Sequence, residues 1–106
     1  MDPKIKRLVD RVEAQLQEMY GEGIRKVILY GSHARGEATK DSDVDVLVLV
    51  DQSLNVREVD ASLSDLLYDM LMAEGELISV VVLTEDHFDN HSLPFMLNVR
   101  KEGVTV

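Results

Sequence analysis

Val27-Ile28-Leu29-Tyr30-Gly31-Ser32 and, after an interval of ten residues, Asp43-Val44-Asp45-Val46-Leu47-Val48-Leu49-Val50 are the stretches that decide the fold. Each half pairs a short apolar run with a polar end, so one strand runs into a Gly-Ser turn and the next leaves an acidic pair. Gly31 lets a backbone approach anionic oxygens that a Cβ would hold away. Asp43 and Asp45 stand at i and i+2, so on a strand they project to one side. A phosphate cradle beside two carboxylates is the equipment for a nucleoside triphosphate and Mg²⁺, which takes a couple of carboxylates plus phosphates and water. Two such ions about 3.5–4 Å apart could clamp both oxygens of an in-line displacement.

Working outward, Asp2 and Pro3 open a helix whose stripe is Ile5, Leu8, Val9, Val12, Leu16, Met19 and Tyr20, stopped by Gly21 and Gly23. A strand follows over about Arg25–Tyr30, then a polar loop through Gly36 and Thr39. Within that loop His33-Ala34-Arg35 reads as one helical turn, whose free N–H groups favour an anion. Val44–Val50 is apolar on both parities, which predicts a strand inside the sheet. Asn55, with Glu58 three residues on, caps a long helix carrying Val56, Val59, Leu63, Leu66, Leu67, Met70 and Leu71 as far as Gly75. Leu77–Leu83 predicts a third strand, and Thr84 starts a short turn or helix through Asp89. Ser92 caps a last helix ending at Gly103, and Val104-Thr105-Val106 adds an edge strand. Strands alternating with helices predict an α/β layer architecture, with the motif at one edge of the sheet.

With 106 residues the chain is read as one domain, 1–106, large enough for a single core. Hydrophobic residues make up 45% and charged residues 29%, ordinary for a globular protein. No run is long enough to span a bilayer and the N-terminus has no secretory apolar region, so a cytoplasmic location is expected. The lack of Cys excludes disulfides and thiolate zinc sites. A net charge of -9 argues against direct nucleic-acid binding and favours a basic protein partner. Asp41-Ser42-Asp43-Val44-Asp45 imitates the start of a calcium loop, but Val46 replaces the required glycine and Gln52 the required acid. His33 reads as a loop residue beside the site. His87 and His91, four apart, lack a third ligand and read as surface residues. Leu93, Phe95, Met96, Leu97 and Val99 do not share one helical face: either both faces are covered, or one waits for another chain.

GSHARG (Gly31–Gly36) with SDVDV (Ser42–Val46) resembles the signature of the nucleotidyltransferase superfamily that includes DNA polymerase beta, and the chain is similar to its minimal, stand-alone members. The resemblance covers roughly Ile24 to Leu83. It implies an α/β (α+β) fold, a small mixed sheet with helices packed on one face. It also implies transfer of a nucleoside monophosphate, AMP from ATP as the favoured case, to a hydroxyl. By motif position Gly31 and Ser32, aided by Arg35, would hold the phosphates. Asp43 and Asp45 would be the catalytic, Mg²⁺-binding pair. Minimal members commonly pair with a small helical protein of the HEPN type, as antitoxin to an RNase toxin, and some adenylylate that partner. A homo-oligomer is the other assembly in view. One departure matters: the family places a third carboxylate on the following strand, where this chain has Ser79. Glu76 lies at that strand's start, on the other parity. Losing a positioned base costs about a hundred- to ten-thousand-fold in rate, so a catalytically weakened NTP-binding or antitoxin module is the competing reading.

Overall fold

The computed structural model describes residues 2–106. Helix α1 (Pro3–Tyr20) starts as the sequence predicts, with the Asp2 carboxylate accepting from the Lys4 amide at 2.7 Å and Pro3 in the first turn. Ile5, Leu8, Val9, Val12 and Leu16 are buried; Met19 is exposed, and Tyr20 makes the last turn's contact instead. Gly21, at φ 55°, ends the helix and opens a 3-10 turn into strand β1 (Ile24–Tyr30). A four-residue helix, α2 (Ser32–Arg35), begins the loop that returns as β2 (Val44–Val50), antiparallel to β1. Helices α3 (Val56–Ser62) and α4 (Ser64–Glu74) then cross to β3 (Ile78–Thr84), which pairs parallel to β2. Helices α5 (Glu85–Asp89) and α6 (Pro94–Glu102) lead to β4 (Val104–Thr105), antiparallel to β1.

The sheet order is β3-β2-β1-β4, a mixed sheet with the doubly apolar strand inside it, as expected. The motif, expected at one edge of the sheet, is instead at the ends of its two central strands. One face of the sheet offers Val27, Leu29, Val44, Val46, Val48, Val50 and Ile78 to α1, α3 and α4. The opposite face offers Ile28, Leu47 and Leu49 to Phe88 of α5 and to Met96 and Val99 of α6. The expected layer of helices on one face is therefore present, and a second, thinner layer covers the other. A strand whose two parities are both Val and Leu demands that cover.

Two local expectations are corrected. The long helix predicted from Asn55 to Gly75 breaks at Leu63, which is fully buried at the corner. The Ser62 hydroxyl donates back to the Val59 carbonyl at 2.6 Å, a bond that bends helices, while Gln15 of α1 donates to the Ser62 carbonyl at 3.2 Å. Asn55 caps α3 as predicted, accepting from Arg57 and Glu58 amides at 2.9 and 3.2 Å. The last helix starts at Pro94 after Leu93, without a Ser92 cap, because proline's fixed φ pre-sets its first turn. Its outward residues, Leu93 and Leu97, are 54% and 51% exposed while Met96 and Val99 are buried. Of the two alternatives for this segment, one face is covered and one is left free.

At the end of β2 opposite the motif, Asp51 accepts from the Ser53 amide at 2.9 Å and from Arg25 at 3.0 Å. Bonds from Ser53, then Arg25, hold its carboxyl far below the usual carboxylate range. A depressed folded pKa stabilises the native state above the unfolded value of about 3.9, and that contribution is lost as pH falls towards the folded value. Asp51→Ala is thus expected to lower Tm at pH 7, with the gap to wild type closing on acidification well below pH 3.9. A pH-independent gap contradicts this.

Candidate active site

Antiparallel pairing sets Tyr30 opposite Asp45, so the end of β1 and the start of β2 lie side by side although a long loop separates them in the chain. Gly31 follows directly at φ 78° and ψ -157°, a conformation that glycine tolerates and other residues resist. A Cβ there would collide with Asp45 Oδ2. The serine turn and the acidic pair therefore converge, as the sequence predicts. Val44 is buried among the residues facing α1, which leaves Asp43 and Asp45 on the other side of β2.

The expected turn at His33-Ala34-Arg35 is α2, begun by Ser32 and closed by Gly36 at φ 73°. The Arg35 amide donates to the Gly31 carbonyl at 3.1 Å. His33 Nε2 lies 3.4 Å from the Ser42 carbonyl, and Ser42 Oγ accepts from the Thr39 amide at 2.9 Å, so the loop braces itself beside the acidic pair.

Asp45 is half-buried, and its carboxyl is pushed up, first by that burial and then by the negative charge of Asp43; His33 and Arg35 oppose the shift. Burial, then Asp45, likewise pushes up the neighbouring Tyr30 hydroxyl. Two carboxylates that repel each other, Asp45 half-buried and Asp43 exposed, are a donor set suited to a hard cation. The Asp45 carboxylate sits where a Gly31 side chain would be, directly against the turn. The residues present thus fit Mg²⁺, with phosphate and water as its remaining ligands. Among the described residues no group of three or more His, Cys, Asp or Glu converges on one metal position.

Ser79, at the position where the resemblance sets a third carboxylate, is the register partner of Asp45 on β3 and is exposed. Glu76 is engaged elsewhere, 3.5 Å from Lys4 of α1. Glu85 and Asp86 follow Thr84, the partner of Val50, and so belong to the far end of the sheet. His87 and His91 are there too, their rings stacked at 4.0 Å. A cleft of about 800 Å³ opens beside α2, lined by Lys4, Ile5, His33, Arg35, Lys40 and Glu76 among others, and its lining includes neither Asp43 nor Asp45. The acidic pair occupies an open shelf at the sheet's end.

One residue of the site is invisible in the sequence. Glu102, at the end of α6, accepts from the Gly31 amide at 3.3 Å and from Arg35 at 3.0 and 3.2 Å. Arg35 also donates to Glu37 at 3.2 Å. No spacing rule connects Glu102 to residues near position 31. The signal is topological: β4 pairs Leu29 with Val104, and continuing that register by two residues sets Glu102 opposite Gly31.

A mixed sheet with an acidic pair packed on a glycine turn defines a class, enzymes that transfer a nucleotidyl group. The chain belongs to the nucleotidyltransferase domain family, whose model matches residues 9–94. It is 34% identical over 89 residues to a Methanocaldococcus jannaschii protein named "Putative protein adenylyltransferase MJ0604", covering 83% of each chain. Over a shorter stretch of 45 residues it is 40% identical to protein adenylyltransferase MntA of Thermococcus cleftensis, 42% of this chain and 43% of that one. Among solved structures, a toxin–antitoxin with AMP-PNP superposes with TM-score 0.59 at 18% identity, over 91% of this chain and 70% of that one. That likeness is one of fold.

Two substitutions probe the geometry. Gly31→Ala, forced to a positive φ and against Asp45, is expected to cost about 1–3 kcal/mol of stability, read by denaturant unfolding. Asp45→Asn removes a charge that the folded state penalises, and is expected to raise Tm. A lowered Tm contradicts the repulsion described here.

Proposed function

We propose that residues 1–106 form a single minimal nucleotidyltransferase domain that moves a nucleoside monophosphate, AMP in the favoured case, from an NTP to a hydroxyl on a partner protein. The contact between Gly31 and the Asp45 carboxylate carries this reading, because it puts the glycine of the phosphate-binding turn and a cation-seeking pair at one place. In it the Gly31 and Ser32 backbone, the Ser32 hydroxyl and Arg35 hold the phosphates, the last through charge-assisted bonds. Asp43 and Asp45 hold Mg²⁺ and so act as the catalytic pair. The bound ions supply neutralisation of charge on the triphosphate. The acceptor oxygen bonds to the α-phosphorus as the bond to pyrophosphate breaks, and the hydroxyl proton passes to water.

The partner fits a free apolar surface on α6. Leu93 and Leu97 project from α6, the helix that also brings Glu102 to the shelf. The net charge of -9 favours a basic partner. The relatives named as protein adenylyltransferases, MntA among them, support a protein acceptor. We assign that partner to the HEPN type and the location to the cytoplasm; no described helix is long and apolar enough to cross a membrane.

A second reading rests on the register of Asp45 with Ser79. A serine there accepts no proton at neutral pH, so the same chain could bind NTP and partner while transferring slowly. Incubation with α-labelled ATP, Mg²⁺ and the product of the neighbouring gene separates the two. Labelled partner, reduced about a hundredfold or more by Asp43→Asn and Asp45→Asn, supports transfer. Partner neutralised without label, and equally well by those variants, supports the binding module. Ser79→Asp is expected to raise the transfer rate about a hundredfold, the low end of the effect of a positioned base.

A further inference from the structure

Glu102 is a carboxylate at the shelf that no reading of the motif requires. Its side chain is 21% exposed, and its two oxygens engage the Gly31 amide and the Arg35 guanidinium together. Those are the same donors assigned above to the phosphates, and this inference rests on that assignment. A carboxylate and a phosphate oxygen make the same charge-assisted bonds, so the two anions compete for one set of N–H groups. Among the described residues Arg35 is otherwise met by Glu37, so its positive charge is already matched within the chain. The position is set by the backbone. The β4 register brings the end of α6 against β1, and Gly103 allows the tight passage, since a Cβ there would strike Ile28 and the Val99 carbonyl. Arg100 fastens the same helix by donating to the carbonyls of Phe88 and His91.

We propose that Glu102 is an internal competitor for the phosphate cradle: its carboxylate holds Gly31 and Arg35 until a triphosphate displaces it, and it thereby sets nucleotide affinity. The helix end stays fixed while the Glu102 side chain, part exposed and rotating about its own torsions, can leave without unpacking helix or sheet. A competitor seated about nine-tenths of the time weakens apparent affinity about tenfold.

The test titrates the intact chain with tripolyphosphate and, separately, with Mg²⁺ and ATP, following the Gly31 amide by NMR. Glu102→Gln keeps the shape and removes the charge; Glu102→Ala removes the competitor outright in a residue that favours helix. Both are expected to bind each anion about three- to tenfold more tightly than wild type. In an Arg35→Ala background the gain should shrink, because only the Gly31 amide is then contested. Unchanged or weaker binding in both Glu102 variants overturns the proposal and makes Glu102 a support for Arg35 or a cation ligand. Tighter tripolyphosphate binding with no response to Mg²⁺ and ATP upholds the competitor while removing the nucleotide reading. A shelf that takes neither anion in any variant defeats both.

Discussion

The close approach of the Gly31 backbone to the Asp45 carboxylate is the constraint from which the site follows. It exists because β1 and β2 pair antiparallel with Tyr30 opposite Asp45, and because position 31 has no side chain to fill the gap. The loop between them carries α2, but it does not set the distance between turn and acids; the strand register does. Loop-closure cost grows slowly with length, so such a loop can be long without loosening the site. The same end of β1 receives β4 on its other side, so Gly31 is flanked by a carboxylate from each neighbour, Asp45 and Glu102.

The two ends of β2 show how differently one residue type can be treated. Asp51 is met by Ser53 and Arg25, and its charge is favoured by folding. Asp45 is half-buried beside Asp43, and its charge is opposed. A structural carboxylate has its partners within the chain. A carboxylate held against its own neighbours waits for a cation, and shifted groups of this kind cluster at functional sites. Such an arrangement gives up some stability for binding, the usual balance at active sites.

Much of this was legible from local pattern. The apolar runs of β1 and β2, the stripe of α1 and the caps at Asp2 and Asn55 are short-range signals, and each formed where it was read. The misses were tertiary. Leu63 sits within an unbroken helical stripe, and the break depends on Ser62 bonding backward and Gln15 reaching across from another helix. The second layer of helices was implied by the two-sided apolar run in β2, yet which segment would supply it depended on how α6 folds back. Glu102 lay beyond sequence reasoning for the same reason, since its place follows from a two-residue strand pairing at the chain's end. Ser79, where the resemblance sets a third carboxylate, does pair with Asp45, a register that follows from parallel pairing of two adjacent strands.

The most direct measurement is paramagnetic mapping with Mn²⁺ in place of Mg²⁺. Titrating the ¹⁵N-labelled chain with Mn²⁺ in the presence of ATP should broaden the amides of Gly31, Ser32 and Asp43 to Asp45 before any others, and replacing both aspartates with asparagine should abolish that selectivity. Broadening centred on the far end of the sheet, around Glu85 to Asp89, with the Gly31 and Asp45 signals left sharp, would contradict the account.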